Sequence, residues 1–386
     1  MAKTYQEINE KIASGKAVVV DAEEIIDIVK EEGLEGAAQK VDVVTTATFG
    51  PMCSSGAFLN FGHCAPPIRM SEIRLNKVLC MGGLAAVDTY IGATSVSDDR
   101  DYEYGGAHVI CDLIDGKSVL LEATSPGTDC YPRKEVKTYV KLEDMNEAYI
   151  YNPRNCYQNY AAATNSSKKR LYTYMGILQP EYGNVTYATS GQLSPLMNDP
   201  KMRTIGMGTK IFLAGAQGYV SWYGTQYNSA KECSANGIPI GGGRTIAVSG
   251  DMRDMSTDFI RPAVFENYGV SMFVGIGIPI PVLDVEMLKC LAVEDKDIWT
   301  IIEDYSDRSG ADAVIRKVNY AELKSGFVDI NGNKVRTSPT TSMMKSREIA
   351  RILKEWIQRG DFTLTQPVMS FPENHSLKSL KVTKVK

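Results

Sequence analysis

The run Val41-Asp42-Val43-Val44-Thr45-Thr46-Ala47-Thr48-Phe49 reads as a buried strand, and it empties into Gly50-Pro51-Met52-Cys53-Ser54-Ser55-Gly56. Glycine and proline at that junction force a sharp loop. A chain with this text must display a thiol at the end of a sheet strand. A second cysteine has similar company, in Ser125-Pro126-Gly127-Thr128-Asp129-Cys130-Tyr131-Pro132. Structural cysteines sit in apolar runs, where they pack as small hydrophobes. Turns are instead where functional groups are displayed. There a thiolate is a strong nucleophile, and backbone N–H groups lower its pKa.

The surrounding chain reads as α/β. Lys16 to Asp21 is a short strand, and Asp21 with Glu24 resembles a capping box. Ile25, Ile26 and Val29 give the following helix its apolar face, with Gly33 as its end. Strands are expected at 77–81, 137–142, 209–213, 219–223 and 245–249. Asp115-Gly116 and Asn331-Gly332 are hairpin signals, the first between strands at 107–114 and 117–123. Asp284 starts a helix, and Ile349, Ile352, Leu353 and Trp356 mark another that stops at Gly360. Residues 152–167 are rich in Asn and Tyr, which predicts an irregular surface or a binding loop rather than core. The expected fold is α/β, with mixed sheets, β-hairpins and flanking helices, and not a standard Rossmann fold. Residues 1–370 read as one catalytic region, with any sub-domain boundary near 150–200, and 371–386 as a solvated basic tail.

Composition closes several routes. The chain has 386 residues, with 42 Lys and Arg against 46 Asp and Glu, a net charge of −4. No global basic field favours nucleic acid or an anionic membrane. The polar N-terminus lacks a signal-peptide core, and the apolar stretch Phe273 to Leu283 is too short to span a bilayer. A cytoplasmic protein is expected. Eight cysteines contain no Cys-x-x-Cys spacing, so zinc-ribbon, thioredoxin and ferredoxin patterns are absent. The three histidines, 63, 108 and 375, exclude a histidine-rich metal site. Neither Gly206-Met207-Gly208 nor Gly241-Gly242-Gly243 completes a nucleotide-binding glycine motif.

Ser54 and Ser55 offer small hydroxyl donors beside Cys53, and Thr128 does so near Cys130. Asp129 disfavours a thiolate at Cys130, which suits that residue better as a resolving or sulfur-carrying thiol. Arg244, behind three glycines, reads as a bidentate carboxylate anchor or as a surface ion pair. Cys80, Cys111 and Cys290 lie among aliphatics and read as core.

At these motifs the chain closely resembles the homocysteine biosynthesis protein family, also described as L-aspartate semialdehyde sulfurtransferases. The matching text is residues 41–46, Phe49 through Ala57, Asn60-Phe61-Gly62-His63, the Pro126–Pro132 loop, Gly241–Thr245 and the late helix through Trp356. The likeness spans roughly residues 5 to 370. It implies an enzyme of anaerobic sulfur assimilation that makes L-homocysteine from L-aspartate 4-semialdehyde, sulfide and two electrons. It also implies that Cys53 and Cys130 are the functional thiols, one carrying sulfur as a persulfide or attacking the aldehyde. Methionine biosynthesis would lie downstream. No cofactor is expected on this chain, with electrons from a separate ferredoxin-type iron–sulfur protein, and a homo-oligomer is expected. Two other readings stay open: a cysteine-dependent acyl or CoA-type transferase, and a non-catalytic persulfide carrier.

Overall fold

The computed structural model describes residues 2–156, 159–307 and 314–382. Its central sheet has ten strands. In chain order they are Val19–Asp21 (β1), Val43–Pro51 (β2), Gly56–Asn60 (β3), Asp88–Gly92 (β4), Glu147–Asn155 (β5), Lys210–Leu213 (β6), Ala216–Tyr223 (β7), Ile246–Asp251 (β8), Ile260–Phe265 (β9) and Gly269–Pro281 (β10). Across the sheet the order is β1-β2-β10-β6-β7-β8-β5-β3-β4, with β9 beside β10. Only β1 and β2 run parallel. This mixed arrangement, with helices on it, is α/β without the parallel order of a doubly wound fold.

β2 explains why the sheet needs cover on both faces. All but its last residue are buried. Val43, Ala47 and Phe49 face one cluster, with the helices Tyr5–Ala13 and Met343–Gln358. Val44 faces another, with the helices Glu24–Lys40 and Val285–Leu291. The late helix approaches β10 closely because β10 is glycine there. A Cβ on Gly275 would come within 2.8 Å of Ile349 Cδ1, and one on Gly277 within 3.2 Å of Leu353 Cδ2.

Two further sheets have six strands each. One lies within residues 72–140, ending on Glu135–Val140 paired with Val119–Thr124. The other begins at Ala162–Thr164, so in the chain it interrupts the central sheet between β5 and β6, and ends at Asn333–Pro339. No helix among the described residues is long and apolar enough to cross a membrane.

Several local expectations need correcting. Residues expected as a hairpin strand before Asp115-Gly116 form a helix, Gly106–Ile114. Asp115-Gly116 ends it: Gly116 adopts φ +73° and its N–H donates to Leu113 O at 3.0 Å. The helix buries Val109, Ile110, Cys111 and Leu113 and leaves His108 and Asp112, four residues apart, less covered, a helical spacing that competes with the hairpin signal of Asp115-Gly116. Gly33, at φ 73°, does end the first helix, and a second helix not expected from the sequence follows it to Lys40. In the segment 152–167, Asn152, Asn155, Asn159 and Asn165 are buried, not on an irregular surface. Asn159 Nδ2 donates to Pro239 O at 2.8 Å and Asn165 Nδ2 to Lys169 O at 2.8 Å, which makes burial tolerable. Residues 157 and 158 of that segment lie outside the described residues.

The reciprocal cap at Asp21 is present: Glu24 N donates to Asp21 Oδ1 at 2.9 Å and Asp21 N to Glu24 Oε2 at 2.8 Å. The packing of the late helix gives a first prediction. Leu353 is fully buried against β10, so Leu353→Ala should cost about 2–5 kcal/mol. Urea unfolding would show this as a lower midpoint with unchanged slope. A cost below about 1 kcal/mol would contradict the packing described.

Candidate functional site

β10 is longer than β2, and that difference builds the site. Their ladder runs from Val43 opposite Pro281 to Pro51 opposite Phe273. Residues 269–272 of β10 therefore extend past the end of β2. Met52 N still donates to Met272 O at 2.7 Å, and Ser55 N closes the turn onto Met52 O at 3.0 Å. Between them Cys53 is left beside the overhang. Its Sγ lies 3.1 Å from Ser271 Oγ. Tyr268, in the tight turn joining β9 to β10, points its hydroxyl at the same sulfur from 3.9 Å.

β5 fixes the turn from the other side. Ser54 Oγ lies 3.0 Å from Asn152 Oδ1 and 2.9 Å from Arg154 O, and Asn152 Nδ2 donates to Ser55 Oγ at 2.7 Å. Gly56 leads out of the turn under the Tyr90 hydroxyl, where a Cβ would also come within 2.6 Å of Ile91 O. Only glycine fits.

Cys53 and Ser54 line a cavity of about 630 Å³, together with Thr48, Arg154, Cys156, Tyr160, Tyr174 and Tyr268. That volume suits a small polar metabolite. Two of these tyrosines are tied together and to Tyr305: Tyr174 Oη is bonded to Tyr160 Oη and lies 2.9 Å from Tyr305 Oη. Burial pushes the Tyr160 and Tyr305 phenols well above the ordinary tyrosine value. Burial, and then the adjacent Cys53, pushes Tyr268 up as well, while the nearby Arg154 guanidinium acts in the opposite direction. Burial alone pushes the Cys156 thiol up to about 12.

The other expected residues lie as follows. Ser55 is buried and committed to Asn152, and does not line the cavity. Arg244 is not a lining residue either, although Gly242 is. Its Nη1 is buried with no hydrogen-bond partner among the described residues. Thr128 lines a separate cleft of about 230 Å³ with Arg69 and Ser125, and its Oγ1 accepts from Tyr131 N at 3.1 Å. Cys130 is exposed. Its loop rests on residues 63–67: Tyr131 stacks on His63, and Arg133 Nε donates to Pro66 O at 2.9 Å. That contact lies beyond the far end of β3, whose five residues separate it from the Cys53 turn. The structure thus brings Cys53 to the cavity and leaves Cys130 outside it.

Residues 371–377, expected as part of a solvated tail, pack on the body. Phe371 is buried, Ser229 Oγ donates to Pro372 O at 2.9 Å, His375 N donates to Ser229 Oγ at 2.8 Å, and Leu377 lines the cavity. Sequence reading missed Ser271, Tyr268, Arg154 and Cys156. Arg154 and Cys156 lie in the Asn- and Tyr-rich segment, for which a binding loop was one reading. Nothing local marks Ser271 or Tyr268, which reach Cys53 only through strand pairing.

The family model described as "Homocysteine biosynthesis enzyme, sulfur-incorporation" matches residues 17–364. The chain belongs to the homocysteine biosynthesis enzyme family. A relative from Methanosarcina acetivorans, named L-aspartate semialdehyde sulfurtransferase, is 50% identical over 381 residues, covering 99% of this chain and 74% of its own. One of the same name from Methanocaldococcus jannaschii is 50% identical over 394 residues, covering 98% of this chain and 75% of its own. An uncharacterized protein of Methanothermobacter thermautotrophicus is 31% identical over 335 residues, with 83% and 72% covered. No solved structure matches.

The thiols separate by access. Cys64, Cys130 and Cys233 are exposed and Cys53 opens on the cavity. Cys80, Cys111 and Cys156 are buried, and burial pushes each up to about 12. Iodoacetamide at pH 8 should label the first four in the folded protein and the buried three only after unfolding, as read by peptide mass spectrometry. Rapid labelling of Cys156 in the folded state would contradict the described cavity wall.

Proposed function

We propose that this chain acts in the cytoplasm as an L-aspartate semialdehyde sulfurtransferase, converting L-aspartate 4-semialdehyde and sulfide to L-homocysteine. The observation that carries the reading is Cys53, displayed on the wall of a metabolite-sized cavity in a chain of this family. The names of two relatives at 50% identity support the substrate.

The chemistry balances as aldehyde plus H₂S plus two electrons and two protons, giving thiol plus water. Sulfur replaces the aldehyde oxygen without change of oxidation level, and two electrons then reduce the thioaldehyde level to the thiol. Cys53 is the nucleophile or sulfur carrier in this reading, with Ser271 holding its sulfur at 3.1 Å. Cys130 is the resolving thiol, and a ferredoxin-type iron–sulfur protein is the electron donor. Within one copy Cys53 lines the cavity and Cys130 does not, so exchange between them in this reading calls for the 125–134 loop to swing or a second copy of the chain to supply Cys130. Mixing Cys53→Ala with Cys130→Ala chains separates these: activity returns only if the thiols act across copies.

Arg154 is the α-carboxylate anchor in preference to Arg244, because Arg154 lines the cavity. A charge-assisted pair of this kind is worth about 1.5–3 kcal/mol. Arg154→Lys should therefore raise the aldehyde KM by about 10- to 100-fold, since lysine cannot reproduce the bidentate fork. Arg244→Lys should leave KM unchanged, and the reverse pattern would move the anchor to Arg244. The decisive assay is homocysteine formation from the aldehyde and sulfide with a strong thiol reductant, repeated with reduced ferredoxin-type protein. Wild type should form product and Cys53→Ala none. Product from Cys53→Ala at the wild-type rate would remove Cys53 from the mechanism.

A further inference from the structure

Beyond Cys53, the cavity holds one hydroxyl whose position fits the oxygen of the substrate rather than its sulfur. When sulfur adds to an aldehyde, the C–S bond forms and the carbonyl π pair moves onto oxygen. That oxyanion needs a proton, and nothing so far assigned supplies one. We propose that Tyr268 is the proton donor of this addition step, a proposal that rests on the sulfurtransferase reading above.

The argument is geometric first. Tyr268 Oη donates a long hydrogen bond to Cys53 Sγ, 3.9 Å away. Before addition, the phenol faces the attacking sulfur. After addition, the charge sits on an oxygen one atom beyond the carbon bonded to that sulfur. The same O–H is then within reach of the charge where it has moved, as a preplaced donor should be. The ring is held for this role: it packs against Phe265 and Tyr174 with centroids 6.2 and 6.1 Å away.

The other hydroxyls fit less well. Ser271 is fully buried with its Oγ against Sγ, and an alcohol is a weaker acid than a phenol. Tyr160, Tyr174 and Tyr305 are bonded to one another. Tyr268 differs in being 37% exposed, so water can return the proton. Arg154 is near enough for its positive charge to favour the phenolate left behind. Burial and the Cys53 sulfur keep the resting phenol protonated, ready to donate at neutral pH. No electrons are exchanged in the step: one C–S bond forms, the π bond breaks, and one proton moves from Tyr268 to oxygen.

The test compares Tyr268→Phe with wild type in homocysteine formation, in parallel with alkylation of Cys53 by iodoacetamide. Phenylalanine keeps the ring packing and removes only the hydroxyl. The expected result is a fall in kcat of about 100-fold or more, with the aldehyde KM changed less than about 3-fold and the alkylation rate within about 2-fold of wild type. Unchanged kcat overturns the proposal. So does a loss of turnover matched by an equal loss of alkylation, which would make the hydroxyl a mere support of the thiol. Wild type that forms no homocysteine under any reductant overturns the sulfurtransferase reading itself, and the proposal with it.

Discussion

The ladder between β2 and β10 sets the register for everything near the candidate site. Nine residues of β2 pair in sequence with β10, whose thirteen residues continue past them. Side chains alternate along a strand, so a slip of one residue would turn Ser271 away from Cys53. The register is well specified because β2 is buried on both faces: Val43, Ala47 and Phe49 must meet one helical cluster and Val44 another. Core packing far from the cavity thus decides which atoms stand beside the thiol.

A second constraint acts through polar groups. Met52 of the turn 52–56 packs on the core, and Ser54 and Ser55 tie the turn to Asn152 of β5. Buried amides and hydroxyls are costly unless paired, and here each pairs with the segment it must position. The same strand continues into Arg154 and Cys156, which line the cavity. Holding the turn and building the cavity wall are therefore tasks of one strand. The close approach at Gly56 completes the arrangement by letting β3 pass beneath the Tyr90 ring.

Parts of this were legible in the chain. The strand 41–49 and its turn, the caps at Asp21 and Asp284, the Asn331-Gly332 hairpin and the late amphipathic helix all appear near their expected places. These depend on neighbours in sequence, so local text suffices. The helix Gly106–Ile114 reads as a strand because Asp115-Gly116 after a short apolar run is a hairpin signal, while the helical spacing of His108 and Asp112 is the competing cue. The asparagines at 152–165 looked like surface residues because polarity alone cannot show that a partner is waiting inside.

By itself the sequence determined that a thiol is displayed at the end of a buried strand, and the motif around Cys53 and Cys130 was enough to point to the family. Chain-local preferences and a contiguous motif need no folding to be read. Only the tertiary structure decided which groups share a space with that thiol. Ser271 and Tyr268 come from more than 200 positions away, 218 and 215 residues along the chain from Cys53. It also decided that Cys130 rests on the 63–67 segment, outside the cavity. The reason is physical: proximity across a sheet is fixed by strand order and register, which the packing of the whole core selects and no local stretch of residues encodes.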